Sequence, residues 1–250
     1  MKKLISIIYF LSLGTLIFAQ PSAQMKEAER LYSANNYTEA IKAYESILKQ
    51  GYESADLYYN LGNAYYKNNE VTKSILNYER AKLLAPGDED IKFNLELVNQ
   101  FTVDKIEPLP RPFFVKWWNS LINSNTSNGW ARLSLICFII ALIGASGYIF
   151  TSTVSLKRIS FITGIVLLVI SVFAFGFAGK QKSNITSHKS AIITTPTVTV
   201  KSSPDESGTD LFVIHEGLKV DIREDLGNWY NIRLADGNSG WIKKITLEKI

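Results

Sequence analysis

The side chains best equipped for covalent or metal chemistry are Cys137, His188 and His215. A thiolate–imidazole nucleophile needs both groups in one aqueous site. Cys137 lies inside an uncharged apolar run, His188 in a polar stretch and His215 at the end of a strand-like stretch, so the pattern does not bring them together. A single cysteine excludes an intramolecular disulfide and a multi-cysteine metal centre, and two histidines leave little for zinc. No Gly-x-Ser-x-Gly elbow or phosphate-cradling loop occurs. The expectation is a non-enzymatic protein with no catalytic, cofactor-binding or metal-binding residues. Recognition chemistry is better represented. Asp56, Tyr59, Asn60, Asn63, Tyr66 and Lys67 lie along one side of a helical stretch, where rings, amides and a cation can touch another chain or simply face water.

Charge locates the elements that carry these residues. The 250-residue chain has a formal net charge of +4, but the charge is segregated. Residues 21–110 hold 10 basic and 14 acidic side chains, residues 111–190 hold 8 basic and no acidic ones, and residues 191–250 hold 7 basic and 9 acidic ones. The excess positive charge therefore surrounds the most apolar part of the chain, which suits lipid headgroups. The two outer parts are mildly acidic, which argues against nucleic acid as a partner. Residues 1–19 have a basic start, an apolar stretch and a small residue before a polar segment, the pattern of a secretory signal. An uncleaved N-terminal anchor is the alternative.

Within a first domain over 21–104, residues 21–87 contain a repeat with a period of 34: Tyr32 matches Tyr66, Asn35 matches Asn69, Ile41 matches Ile75 and Tyr44 matches Tyr78. That period predicts helix–turn–helix units that stack. In the second unit Tyr58, Leu61, Gly62 and Tyr65 form one helical stripe, and Ser74, Ile75, Tyr78 and Ala81 form another. Gly62 lets the partner helix come close, and Pro86 ends the unit. A last stripe of Ile91, Leu95 and Val98 predicts a capping helix. Tyr58-x2-Leu61-Gly62-x2-Tyr65, with Ser74, Tyr78, Ala81 and Pro86, resembles a tetratricopeptide repeat. The first unit is degenerate, with Glu27 and Ala28 in place of leucine and glycine. The resemblance makes Tyr59, Asn63, Tyr66 and Lys67 the candidates for binding a peptide or protein; the alternative is a solvated face.

Three prolines, Pro108, Pro110 and Pro112, end the array and open a proline-rich and aromatic interfacial linker over 105–130. Its Phe113, Phe114, Trp117 and Trp118, with basic neighbours, suit either the headgroup boundary or packing on the repeats. Residues 131–150 and 159–179 carry no acidic residue and, apart from Arg132 at the edge, no basic one, and each is long enough to span a bilayer. They predict a two-helix transmembrane hairpin in which Gly144-Ala145-Ser146-Gly147 permits close approach. Cys137 is expected to pack in lipid or against the partner helix. Lys157 and Arg158 in the connector are outnumbered by Arg132, Lys180, Lys182 and Lys189 outside it, and counting alone would put the connector outside. The signal acts first and decides the reverse: both soluble domains on the periplasmic side of an inner membrane.

After a linker over 180–190, residues 191–250 change to a strand period, with five short strands and turns at Glu216-Gly217 and Asp236-Gly237. Val198-Thr199-Val200 with Pro204, Trp229-Tyr230-Asn231-Ile232, and Asp236-Gly237-Asn238-Ser239-Gly240-Trp241 resemble a bacterial SH3-like domain, hence an all-β barrel. In such domains the surface can bind peptides or cell-wall material. Trp229 and Trp241 are expected in the core, and Tyr230 with the loop 205–210 on the ligand surface.

The fold class expected is thus multidomain: an all-α tetratricopeptide (TPR) helical repeat, a transmembrane hairpin and an all-β SH3-like barrel. The order of parts resembles the BatE family of the aerotolerance operon. That resemblance implies a cell-envelope protein working beside von Willebrand A-type Bat proteins and a MoxR-type ATPase. It implies a membrane-anchored adaptor scaffold with the bilayer and envelope proteins as partners. The competing reading is a peptidoglycan-binding or stress-sensing module acting through the SH3-like domain.

Overall fold

The computed structural model describes residues 22–250, so the expected signal over 1–19 lies outside the described residues. The chain divides after Glu53 into two compact units. In the first, α1 (Ser22–Ser33) and α2 (Tyr37–Lys49) form one helical pair. Ala28 and Ala40 are wholly buried, and Ile41, Tyr44 and Ile47 nearly so. Burial pushes the Tyr44 phenol up from its ordinary pKa, with Glu29 and Tyr32 adding to the shift.

The second unit holds α3 (Ala55–Lys67), α4 (Val71–Leu84) and α5 (Glu89–Asn99). Ser54 caps α3 by accepting from the Leu57 amide at 3.1 Å, and Asp88 caps α5 by accepting from the Ile91 amide at 3.0 Å. The turns that close α1 and α3 are copies of each other. Asn35 and Asn69, equivalent in the repeat, both adopt φ 61, and Asn36 and Glu70 donate back to the Leu31 and Tyr65 carbonyls. This Schellman closure favours asparagine where glycine is absent. Between α3 and α4 the backbone approach is tight: a Cβ on Gly62 would sit 2.8 Å from the Tyr78 ring. Ser74, where the repeat pattern asks for alanine, donates its hydroxyl to the Gly62 carbonyl at 2.8 Å and is buried.

The proline-rich stretch is no free spacer. Ile106 packs on the core of the β domain, and the Leu109 amide donates to the Ala235 carbonyl at 3.1 Å. Asp104 accepts from the His215 amide at 2.6 Å and lies 3.0 Å from its Nδ1. Helix α6 (Phe113–Ile122) then buries Ile122 and leaves Phe113, Phe114 and Trp117 exposed.

Helices α7 (Ser127–Phe150) and α8 (Val154–Ser187) are both long and apolar enough to cross a membrane. They pack antiparallel. Ser134 and Ser171 each donate to the other's carbonyl at 2.9 Å. A Cβ on Gly144 would meet the Gly164 Cα at 3.3 Å, the close approach that small residues permit. Cys137 is buried in the hairpin. The linker expected over 180–190 is mostly helix, because α8 runs on to Ser187. No glycine or proline interrupts residues 180–187, and Gln181 fixes the extension by donating to the Ile122 and Asn125 carbonyls at 2.6 and 2.7 Å.

Seven strands follow rather than five: β1 (Ser190–Ile193), β2 (Thr197–Lys201), β3 (Asp210–His215), β4 (Lys219–Leu226), β5 (Trp229–Arg233), β6 (Ser239–Lys243) and β7 (Leu247–Lys249). They form one antiparallel sheet in the order β3-β2-β6-β5-β4-β1-β7, with β3 and β7 as its edges. The core is Val198, Val200, Ile214, Val220, Ile232 and Ile242.

Candidate protein-binding face and the platform behind it

Helix α3 carries two of the four expected contact residues, Tyr59 and Asn63, into a fixed polar lattice. Asn63 Oδ1 accepts from the Tyr78 hydroxyl at 2.6 Å and from Asn94 Nδ2 at 3.1 Å. The same Asn94 amide donates to the Tyr59 hydroxyl at 2.9 Å. Tyr66 is half-buried, with its ring 6.1 Å from Phe101. Lys67 is exposed at the end of the helix. Tyr59, Asn63 and Tyr66 are therefore preorganised, each in contact with α5 or the segment just after it, whereas Lys67 stands in water.

Asn94 and Phe101 were not singled out from the sequence, yet the signal existed. One more step of 34 takes Leu57 to Ile91, Asn60 to Asn94, Leu61 to Leu95 and Ala64 to Val98. Helix α5 thus continues the 34-residue spacing, and its Ile91, Leu95 and Val98 are buried.

The outer side of α4 is used differently. Ile75, Leu76 and Tyr78 share a core with Ile192 of β1 and with Ile250. Around it, Glu79 pairs with Lys219 at 2.5 Å, Arg80 with Glu248 at 2.8 Å, and the Thr72 hydroxyl donates to Glu216 at 2.7 Å. Glu79 is only 7% exposed, so removing Lys219 would leave a buried side chain without its ion-pair partner. Helices α3 to α5, the strap over residues 102–109 and the β domain are welded into one platform.

On the β domain the strand phase reverses the expectation for its aromatic residues. Tyr230 is 7% exposed and belongs to the core, with Lys244 and Lys249 at 4.8 and 4.9 Å from its ring centre. Trp229 and Trp241 are half-buried on the other side of their strands. Alternation along β5 sets this: Ile232 points inward, so Tyr230 does too and Trp229 does not. Trp229, Lys243, Lys244 and Ile245 line a recess of about 430 Å³. Lys243 pairs there with Glu206 at 2.5 Å. In the same loop, hydrogen bonds from Ser207 and Ser203 hold the Asp205 carboxyl below its ordinary pKa.

Among the described residues no group of histidine, cysteine and carboxylate side chains could hold a metal ion.

Residues 25–89 match the tetratricopeptide repeat family. That class of repeat is a scaffold for protein–protein interaction. The match covers about a quarter of the chain, the two helical pairs and the turn into α5. No curated protein matches the chain.

Proposed function

We propose that this chain is a membrane-anchored, non-enzymatic adaptor of the cell envelope, in which the α3 side of the repeats holds a partner protein. The reading rests on one observation: the α4 side of the repeat is occupied by the chain's own β domain, so a partner would meet the α3 side through the exposed Lys67 and the partly exposed edges of Tyr59, Asn63 and Tyr66, whose rings and amide also pack inward. Helices α7 and α8 anchor it, since their Ile, Leu, Val and Phe side chains are largely exposed and form a surface that lipid would cover. The SH3-like motifs and the order of parts favour a BatE-type place in an aerotolerance complex, with von Willebrand A-type proteins as partners and both soluble parts on the periplasmic side of the inner membrane.

The test is crosslinking in native membranes. A Lys67→Glu/Tyr59→Phe variant keeps Asn63, whose loss would strip an acceptor from the Tyr78 hydroxyl and cost about 1 kcal/mol or more. It should insert normally and capture much less of a von Willebrand A-type partner. Equal capture by variant and wild type would overturn the adaptor reading through this face.

A second reading is favoured by the recess beside Trp229. A half-buried indole at such a recess suits stacking against a ring or peptide plane of peptidoglycan, while Lys243 and Lys244 are already paired with Glu206 and Asp225. In that reading Trp229, rather than Tyr230, is the ligand-facing aromatic. Trp229→Ala should then abolish co-sedimentation of the full chain with purified peptidoglycan, and unaltered sedimentation would exclude it.

A further inference from the structure

Unpaired positive charge collects at one place in the fold. A cavity of about 310 Å³ lies where the end of α4, the turn after α6, the end of α8 and the start of β1 meet. Lys82, Lys189 and Lys219 line it, with Asn123, Asn184 and His188 beside them. Lys219 is paired with Glu79. Lys82 and Lys189 have no ion-pair partner among the described residues. Three lysines thus face one carboxylate, and the balance stays positive if a terminal carboxylate at Ile250 is added. Two of those lysines are 107 positions apart in the chain and share a cavity only because the β domain docks on α4.

The depth of the cavity is set by α8. Its apolar run ends at Gly179, and Gln181 and Asn184 follow within about 3–8 Å along the axis. The headgroup layer of a bilayer is about 5–8 Å thick on each side. Trp118 and Trp130 stand at the same end of the hairpin, 5.3 and 5.1 Å from the Phe177 ring, as interfacial rings do.

We propose that this cavity binds the phosphate of an anionic phospholipid headgroup. Lys82 and Lys189 supply the charge, and the Asn123 and Asn184 side chains can donate to phosphate or glycerol oxygens. The bound headgroup would bridge repeat, hairpin and β domain at one point. The inference rests on the membrane reading of α7 and α8.

The full chain in a neutral detergent is titrated with phosphatidylglycerol or phosphatidylcholine, and retained lipid is read by native mass spectrometry. Wild type should retain phosphatidylglycerol and not phosphatidylcholine. Lys82→Gln/Lys189→Gln should weaken retention about thirtyfold, the equivalent of about 2 kcal/mol for two lysines at a membrane surface. Lys82→Arg/Lys189→Arg should restore it. Equal retention by wild type and the glutamine variant overturns the site. Displacement of the lipid by millimolar inorganic phosphate overturns the lipid source and makes a free phosphate the ligand. Flotation with phosphatidylcholine vesicles keeps the two readings apart. If wild type and variant both float while only the variant loses phosphatidylglycerol, the site stands. If neither floats, the membrane reading falls, and the headgroup proposal with it.

Discussion

The two sides of the second repeat make different use of similar amphipathic helices. On the α3 side, Tyr59, Asn63 and Asn94 are tied to one another in a half-exposed layer. On the α4 side, polar residues that would pass for a solvated face, Thr72, Glu79 and Arg80, are matched one by one to Glu216, Lys219 and Glu248 of the β domain. The apolar seam between them, Ile75 and Leu76 against Ile192 and Ile250, is buried. A polar outer stripe on a helix is therefore as consistent with a specific docking pattern as with water. Only the complementary residues, far away in the chain, decide which it is.

The largest effect should come from breaking the buried seam. Ile192 is wholly buried, and Ile192→Ala should cost about 2–5 kcal/mol. Hydrogen exchange should speed up in α4 and in β1 together; faster exchange in β1 alone would show that the two sides are not one cooperative unit. Next, Gly62→Leu would force a side chain into the Tyr78 ring and should destabilise the repeat by about 1–3 kcal/mol. A denaturation midpoint of the full chain that does not move would refute the close approach of α3 and α4.

A smaller effect is expected at the rim. Glu79 is buried but Lys219 is partly exposed, so a double-mutant cycle with Glu79→Gln and Lys219→Gln should give a coupling of about 1 kcal/mol. Near-additive losses would mean that the pair does not help hold the platform. The smallest effect concerns Glu70, in the turn between the two sides. Burial alone would raise its pKa, but hydrogen bonds from Lys73 and Asn68 and the charge of Lys73 outweigh it and leave the carboxyl below its ordinary value. A depressed carboxyl contributes stability above its unfolded pKa and loses it as pH falls through the folded one. The turn at Asn68-Asn69-Glu70 should stay ordered from neutral pH down past the ordinary carboxylate range, then loosen. Amide resonances of Asn69 and Glu70 that shift near pH 5 would contradict this.

Much of this architecture is local and was legible in the sequence. The repeat period set both Asn35 and Asn69 in the same turn, Gly62 marked the close approach, and two uncharged runs marked α7 and α8. What escaped is non-local. Strands β1 and β7 are three or four residues long and gain their identity from pairing with each other across more than 50 positions. The docking of α4 on the β domain joins residues about 140 apart, and no period reports it. The Ser134–Ser171 exchange joins two residues 37 positions apart, and neither serine by itself points to the other. The inward position of Tyr230 was recoverable, since it stands two residues before Ile232 on one strand. For the binding face, the residue types were visible but Asn94, which ties Tyr59 to Asn63, lay in a helix read only as a cap.

The unbroken length of α8 has a mechanical consequence. Its 34 residues span about 50 Å, of which a bilayer core takes about 30 Å. Only His188 and Lys189 separate its end from β1, and β1 is paired on both sides. With α8 inserted, the helix acts as a gauge rod rather than a tether. It sets the height of the β domain at little more than 10 Å above the hydrocarbon edge, and any tilt of the rod swings the platform as a rigid arm. Anything that touches that domain would then have to come down to the membrane surface, because the domain has no slack with which to reach up.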